Sequence, residues 1–142
     1  MAANKDIVRR AIEEPWTKLD VLDELIADDY IGHDPALPEP IRGVQGAKDN
    51  VSGYLAAFEG AKITVQEQIG EGDLVASRWE ARGKHTGELM GIAPTGKDAV
   101  VSGITLSRVA DGKIAEEWTN WDTLGMLQQI GAVPAPATTQ MS

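Results

Sequence analysis

The residues best suited to chemistry lie between positions 111 and 122. Asp111 and Gly112 predict a tight hairpin turn, because both residue types tolerate the positive φ that such turns require. Side chains on the strand that follows alternate between two faces. If the strand is unbroken, one face carries Ile114, Glu116, Trp118, Asn120 and Asp122. Large apolar groups mixed with carboxylates on one face predict the wall of a pocket, although a bulge would shift the alternation.

Asp122 is the strongest candidate for acid/base chemistry. It follows the predicted strand and precedes a short closing helix predicted at about 123–130, a position from which its carboxylate can face a cavity. An apolar pocket raises the pKa of a carboxylate toward neutrality and makes it a better base. The alternative is a helix N-cap, in which the carboxylate accepts hydrogen bonds from free backbone amides.

The two histidines are candidates for a second catalytic role. His85 lies on the same predicted strand face as Trp79 and so toward the pocket; the alternative is a half-exposed histidine beside a glycine turn. His33 could act in the same way or only hydrogen-bond its loop. A histidine near neutral pH can donate a hydrogen bond to a carbonyl oxygen where enolate charge develops.

Several further side chains are candidates for substrate binding. Asn50 faces the cavity if the third helix does, and Tyr54, four residues later, lies on the same side. The tryptophans Trp16, Trp79 and Trp118 suit either a core or a ligand-stacking wall, and the wall of a cavity is both. Burying the charged Glu116 carboxylate in an apolar pocket is unfavourable unless an opposite charge pairs with it. We therefore expect Glu116 in solvent or in a salt bridge.

Composition narrows the class of protein. The 142 residues fit one domain with a sizeable core, and 42% hydrophobic and 25% charged residues are ordinary for a globular fold. A net charge of -9 argues against nucleic acid as a partner. The sequence contains no cysteine, and two histidines are too few for a multi-histidine metal centre. No apolar run approaches the roughly 20 residues needed to cross a bilayer, and no signal peptide is evident, so we expect a soluble cytoplasmic protein without membrane contact.

The elements that must position these residues change in character along the chain. Apolar residues at helical spacing predict three helices, at about 5–16, 20–27 and 47–58. Alternating patterns then predict strands at about 61–69, 74–85 and 99–109, before the stretch at 111–122. This order predicts an α+β fold in which the helices pack on a curved antiparallel sheet around a cone-shaped cavity. We expect one domain over 1–132 and a disordered tail over 133–142.

Short segments in this order resemble the SnoaL-like polyketide cyclase family of the NTF2-like superfamily. Each segment alone is weak, and their order and spacing are more specific for the family than for one activity. The segments are residues 7–10, 30–35, 83–87, 91–97, 111–114, 121–122 and 127–131. The resemblance covers most of the chain and implies the cone-shaped α+β fold.

The resemblance also implies an activity and a site. Family members with known chemistry close a ring of an aromatic polyketide by intramolecular aldol condensation, without a metal or an organic cofactor. Their acid/base carboxylate matches Asp122, and their polar position on the third helix matches Asn50. They carry a histidine on the next-to-last strand where this chain has Thr105. Thr105 is therefore a further candidate for substrate contact, and His33 or His85 could replace the missing histidine.

The leading hypothesis is a cofactor-independent cyclase acting on a hydrophobic, polyketide-like small molecule. The alternatives are a related NTF2-like enzyme of hydroxylase or epoxide hydrolase type, or a non-catalytic small-molecule-binding module. An enzyme needs Asp122 inside the cavity and a histidine within reach of the substrate, whereas a binding module needs only the cavity. The exposed sheet face and the resemblance further predict a homo-oligomer, either a dimer or a tetramer.

Overall fold

The computed structural model describes residues 2–134, so most of the predicted tail lies outside the described residues. The α-helices are α1 (Ala2–Glu13), α2 (Val21–Leu25), α3 (Gly43–Ala57) and α4 (Thr123–Gln129). The strands are β1 (Ile26–His33), β2 (Ile41–Arg42), β3 (Phe58–Glu71), β4 (Leu74–His85), β5 (Asp98–Ala110) and β6 (Lys113–Trp121). No helix within this range is both long and apolar enough to cross a membrane.

The first helices follow the predicted apolar spacing. Val8 is fully buried on α1, which ends before a 3₁₀ turn that contains Pro15. Proline has no backbone N–H and therefore stops the helix there. The second helix is shorter than the predicted 20–27, because Ile26 is extended with φ -107° and ψ 134°. Ile26 pairs instead with Ile114 of β6, so a buried β-branched residue joins the sheet.

The sheet has the strand order β2-β1-β6-β5-β4-β3. Strands β3 to β6 form the predicted antiparallel meander. The pairing of β1 with β6 is parallel, which corrects the expectation of a wholly antiparallel sheet. A parallel pair needs a long crossover, and here the crossover is α3 together with the meander. The α+β class with helices covering one face of a curved sheet is confirmed.

Burial alternates along the sheet as expected for one covered face. The β4 residues Val75, Ser77, Trp79 and His85 are buried, as the alternation predicted for that strand. The apolar core on this inner face has two parts. One gathers around Val8, Leu22, Tyr30 and Ile114, and the other around Phe58, Ala99, Met126 and Ile130. Residues of both parts line one shared cavity.

Strand β6 contains a bulge that decides which side chains reach the inner face. Val109 of β5 pairs with Ile114, whereas Arg108 pairs with Glu116, so Ala115 is an extra residue. After the bulge, the inner-face residues are Glu117, Thr119 and Trp121. The alternation predicted for an unbroken strand is therefore wrong from Glu116 onward.

Candidate active site

A cavity of about 220 Å³ lies between the helices and the inner face of the sheet. Its wall is mostly apolar and aromatic, with contributions from Trp16, Phe58, Trp79 and Trp121. The polar groups in the wall include Asp34, Asn50, Tyr54, Thr105, Glu117 and Thr119. Few polar groups in an apolar cavity are typical of sites that orient a small organic ligand.

Asp34 presents a carboxylate to this cavity from the loop after β1. Its Oδ1 accepts a hydrogen bond from the backbone N–H of Ala36 at 2.8 Å, which forms a local turn. Its Oδ2 accepts a hydrogen bond from Nε1 of Trp121 at 3.0 Å. Pro35 follows directly and favours extended backbone at Asp34. The carboxylate is thus held by two N–H donors, and each oxygen retains a lone pair.

Tyr54 on α3 lies close enough to Asp34 for the carboxylate charge to act on the phenol. Burial raises the pKa of Tyr54 to about 12, and the charge of Asp34 adds to the shift. The Tyr54 ring also meets the Trp121 ring edge to face at 6.1 Å. Among residues 2–134, no hydrogen bond engages the Tyr54 hydroxyl. A phenol with a raised pKa keeps its proton at neutral pH. The Tyr54 hydroxyl can therefore donate a hydrogen bond to a ligand.

Glu117 places a second carboxyl group in the cavity wall. Its Oε1 accepts a hydrogen bond from the Tyr30 hydroxyl at 2.8 Å, and its Oε2 accepts one from the Ser107 hydroxyl at 2.6 Å. Burial raises the pKa of Glu117, and these two hydrogen bonds oppose the rise. Burial and the charge of Glu117 also raise the pKa of Tyr30.

A chain of three hydrogen-bonding side chains crosses the inner face. Trp79 donates its Nε1–H to Oγ1 of Thr105 at 3.0 Å, and Oγ1 of Thr105 lies 2.9 Å from Oγ1 of Thr119. Gly103 makes this geometry possible, because a Cβ at that position would clash with the Trp79 indole. Thr105 lines the cavity, and its contact with a substrate stays a prediction.

Comparison with known proteins assigns the chain to a family. A family model described as SnoaL-like polyketide cyclase matches residues 6–130. The chain belongs to this family. It is 32% identical over 138 residues to the aklanonic acid methyl ester cyclase DnrD of Streptomyces peucetius, covering 92% of each protein. It is 33% identical over 141 residues to the enzyme DauD of Streptomyces sp. strain C5, covering 92% of this chain and 83% of that one.

Solved structures agree with this family. IdmH of Streptomyces antibioticus, described as a candidate polyketide cyclase, superposes with a TM-score of 0.77 at 36% identity, covering 90% of this chain and 98% of IdmH. A protein of Jannaschia sp. CCS1, described as SnoaL-like, superposes with a TM-score of 0.84 and covers 94% of each chain. Its identity is 24%, so this likeness concerns the fold alone.

Asp122 does not lie where the family match leads one to expect. It is exposed, is not among the cavity-lining residues, and caps α4 by accepting a hydrogen bond from the N–H of Gly125 at 2.8 Å. Strand β6 ends at Trp121 and α4 begins at Thr123, so the free amides of the first helical turn are next to this carboxylate. The prediction that Asp122 lies inside the cavity is wrong, and the N-cap alternative is confirmed.

His85 and Trp118 also lie outside the cavity wall of this SnoaL-like protein. His85 is fully buried beside Phe58, and its Nδ1 accepts a hydrogen bond from the N–H of Thr95 at 3.2 Å. The inner face of β4 continues past the cavity to Phe58 in the second part of the core, so His85 lies on the predicted strand face without reaching the cavity. Trp118 is 37% exposed on the outer face because of the bulge.

His33 borders the cavity, but its ring is engaged by Glu116 of the outer face. Its Nε2 lies 2.7 Å from Oε2 of Glu116, whose Oε1 accepts a hydrogen bond from Arg108 at 3.2 Å. Trp118 stacks on the His33 ring at 5.6 Å. The hydrogen bond from His33 is the main reason for the lowered pKa of Glu116, and Arg108 adds to it. The salt bridge expected for Glu116 is confirmed.

The remaining predicted binding residues do line the cavity: Trp16, Asn50, Tyr54, Trp79 and Thr105. Sequence reasoning missed other lining residues, among them Asp34, Glu117, Thr119 and Trp121. The pair Asp34-Pro35 was a usable signal, since a carboxylate before a proline favours a turn. Within residues 2–134, no three histidine or carboxylate side chains converge on a point suited to a metal ion.

Proposed function

We propose that this protein closes a ring of a hydrophobic, polyketide-like small molecule by cofactor-independent intramolecular aldol condensation. The observation that carries the proposal is the placement of the Asp34 carboxylate and the protonated Tyr54 phenol in the wall of one apolar cavity. Membership of the SnoaL-like polyketide cyclase family supports it, as does similarity to two proteins named aklanonic acid methyl ester cyclases. A binding module would need the cavity but not these two groups.

Asp34 takes the acid/base role that the sequence assigned to Asp122. A methylene between two carbonyl groups is acidic enough for a carboxylate to remove its proton. The resulting enolate carbon attacks the second carbonyl of the same molecule, which forms the ring bond and leaves an alkoxide. Asp34 then returns its proton to that alkoxide, so the carboxylate is regenerated. The N–H donors from Ala36 and Trp121 orient the carboxylate throughout.

Tyr54 assists by hydrogen bonding to the enolate oxygen. The developing charge on this oxygen is the part of the reaction that most needs stabilisation, and a donor in a site shielded from water is effective there. Its pKa of about 12 keeps the phenol protonated at neutral pH.

The test is turnover of aklanonic acid methyl ester, the compound named for the two relatives, by wild type and two isosteric variants. We expect Asp34→Asn to lower turnover by about 10²–10⁴-fold, the usual contribution of a positioned acid/base group. Asp122→Asn is the matched control and should turn over at the wild-type rate. An active Asp34→Asn together with an inactive Asp122→Asn would return the role to Asp122. Ligand binding without turnover by wild type would favour the binding module.

We also infer that the protein forms homodimers through the outer face of the sheet. Ile104 is 53% exposed on β5, and Trp118 is 37% exposed on β6. Leu106 pairs with Trp118 across the two strands, so these side chains form a continuous apolar stripe. Covering such a stripe with a second copy removes apolar surface from water.

A further inference from the structure

We propose that the hydroxyl group of Thr119 binds a carbonyl oxygen of the ligand as a hydrogen-bond donor. It is the last member of the chain from Trp79 through Thr105. This inference deepens the proposed function: an aldol closure involves two carbonyl oxygens, and Thr119 would serve the one that Tyr54 does not. No other assignment of the site rests on Thr119.

The direction of the hydrogen bonds follows from the chemistry of the three groups. An indole N–H can only donate, so Thr105 Oγ1 accepts from Trp79. Thr105 is only 5% exposed, and a buried hydroxyl hydrogen without an acceptor is unfavourable. Within residues 2–134, the acceptor that it meets is Oγ1 of Thr119 at 2.9 Å. In the arrangement that gives the buried Thr105 hydrogen an acceptor within the protein, Thr105 donates to Thr119 and leaves the hydrogen of Thr119 free to donate elsewhere.

The free hydrogen of Thr119 can point into the cavity. Thr119 is half-buried on the inner face of β6 and lines the cavity wall. Its neighbours on that face are Glu117 and Trp121, each two residues away and so about 6.5 Å along the strand. The Glu117 oxygens accept from Tyr30 and Ser107, and within residues 2–134 no hydrogen bond joins Glu117 to Thr119. Among the described side chains, the chain of donors thus ends at a group directed to the ligand.

The chain also prepares Thr119 for this task. Successive hydrogen bonds polarise one another, so the donation from Trp79 through Thr105 makes the Thr119 hydroxyl a stronger donor. Gly103 holds this arrangement in place by leaving room for the indole ring. The ligand class that fits is a planar hydrophobic molecule with a carbonyl or enolate oxygen opposite Thr119.

Binding of 2-naphtholate tests the donor without requiring turnover. The probe is planar, and its phenolate oxygen resembles an enolate. The background is Asp34→Asn, whose neutral side chain represents the base after it has taken up a proton. The measurement is the fluorescence titration of 2-naphthol at a pH where the free probe is ionised, with Thr119→Val and Thr119→Ser in this background. Naphthalene, which lacks the oxygen, is the matched ligand.

We expect Thr119→Val to weaken 2-naphtholate about 10- to 100-fold, the range for a hydrogen bond to a charged oxygen. Naphthalene affinity should change less than about 3-fold, because naphthalene has no oxygen to accept a hydrogen bond. Thr119→Ser should bind 2-naphtholate as tightly as the Asp34→Asn protein that retains Thr119. Thr105→Val, which breaks the chain but spares the donor, should have an intermediate effect. Equal losses for both ligands, or a larger loss for Thr105→Val than for Thr119→Val, would overturn the inference.

The outcome is independent of the cyclase assignment. A protein that turns over no polyketide but shows the oxygen-specific loss retains the Thr119 donor and loses the proposed function. A protein whose turnover falls in Asp34→Asn but whose 2-naphtholate affinity is unchanged by Thr119→Val retains the cyclase assignment and loses the donor. If Thr119→Val fails to fold, weak 2-naphtholate binding by the folded Thr119→Ser variant contradicts the inference, because serine keeps the donor.

Discussion

Glu116 and Glu117 are consecutive carboxyl groups on β6 with opposite environments. Glu116 lies on the outer face against two basic side chains, His33 and Arg108, and its pKa is lowered. Glu117 lies on the inner face against two hydroxyl groups, those of Tyr30 and Ser107, and burial raises its pKa. One residue type at adjacent positions thus serves a solvent-side ion pair and a cavity wall.

The difference shows that the face of the strand, not the residue type, determines the role of each carboxyl group. The basic side chains beside Glu116 stabilise its ionised carboxylate. The hydroxyl groups beside Glu117 only partly replace the hydration that its carboxylate loses on burial, so the pKa of Glu117 is raised. The bulge at Ala115 decides which glutamate occupies which face. It also brings Thr119 and Trp121 inward beside the cavity.

The two faces should differ most in how much a tryptophan on each face contributes to the free energy of unfolding. Trp121→Ala removes the inner ring and the N–H that holds Asp34, and we expect a loss of about 3 kcal/mol in the free energy of unfolding. Trp118→Ala on the outer face should cost about 1 kcal/mol or less, because its ring is 37% exposed. It should instead weaken self-association.

Urea unfolding at one protein concentration measures the loss of unfolding free energy in both variants. Sedimentation velocity measures the self-association of Trp118→Ala. Equal losses of unfolding free energy would contradict the division between the faces. Unchanged association in Trp118→Ala would contradict the proposed dimer face and leave the cavity untouched.

Two serines on β5 give a second, smaller contrast. Ser107 is fully buried and donates to Glu117, whereas Ser102 is exposed on the outer face. Ser107→Ala leaves a carboxylate oxygen without its donor, and we expect a loss of about 1–3 kcal/mol on urea unfolding. Ser102→Ala should change stability by about 0.5 kcal/mol or less. A similar value for both variants would show that the hydrogen bond to Glu117 contributes little.

The pH dependence of stability should separate the two glutamates by sign. Because the folded-state pKa of Glu117 is raised above 4.5, its contribution is complete below that pH and is lost as pH rises through the folded pKa. Because the pKa of Glu116 is lowered, its contribution is present above 4.5 and is lost as pH falls through the folded pKa.

Glu117→Gln should therefore flatten the decline of unfolding free energy on the alkaline side of 4.5, and Glu116→Gln the decline on the acid side. Urea unfolding in a pH series, at equal protein concentrations, measures both slopes. A flattened acid side in Glu117→Gln would mean that hydrogen bonding outweighs burial at this carboxyl.

Alternation alone predicted correctly which β4 side chains lie on the inner face. The reason is that the pairing of β4 with β5 runs without a register shift from Leu74 to Lys84. The same rule failed on β6, since nothing about Ala115 marks it as the extra residue of a bulge. The failure moved Trp118 out of the cavity and hid Thr119. The family resemblance predicted the fold that the comparisons confirm.

The candidate base shows why part of the site escaped prediction. The cap at Asp122 depends only on a strand end and the next few amides, so local reasoning included it as an alternative. Asp34 becomes a cavity residue through Trp121, which is 87 residues away in the chain. That contact depends on the parallel pairing of β1 with β6, which no local pattern indicates. Long-range pairing of strands therefore limited the prediction of the site more than residue chemistry did.

We propose that Asp34 removes a carbon-bound proton from the ligand. This role is tested most directly with 2-tetralone, a benzo-fused ketone that cannot undergo intramolecular ring closure. Proton NMR measures the rate at which its α-hydrogens exchange with solvent deuterium. Wild type and Asp122→Asn should both accelerate the exchange over buffer, and Asp34→Asn should lose about 10²-fold or more of that acceleration. Exchange at the wild-type rate by Asp34→Asn, or its loss in Asp122→Asn, would contradict the claim.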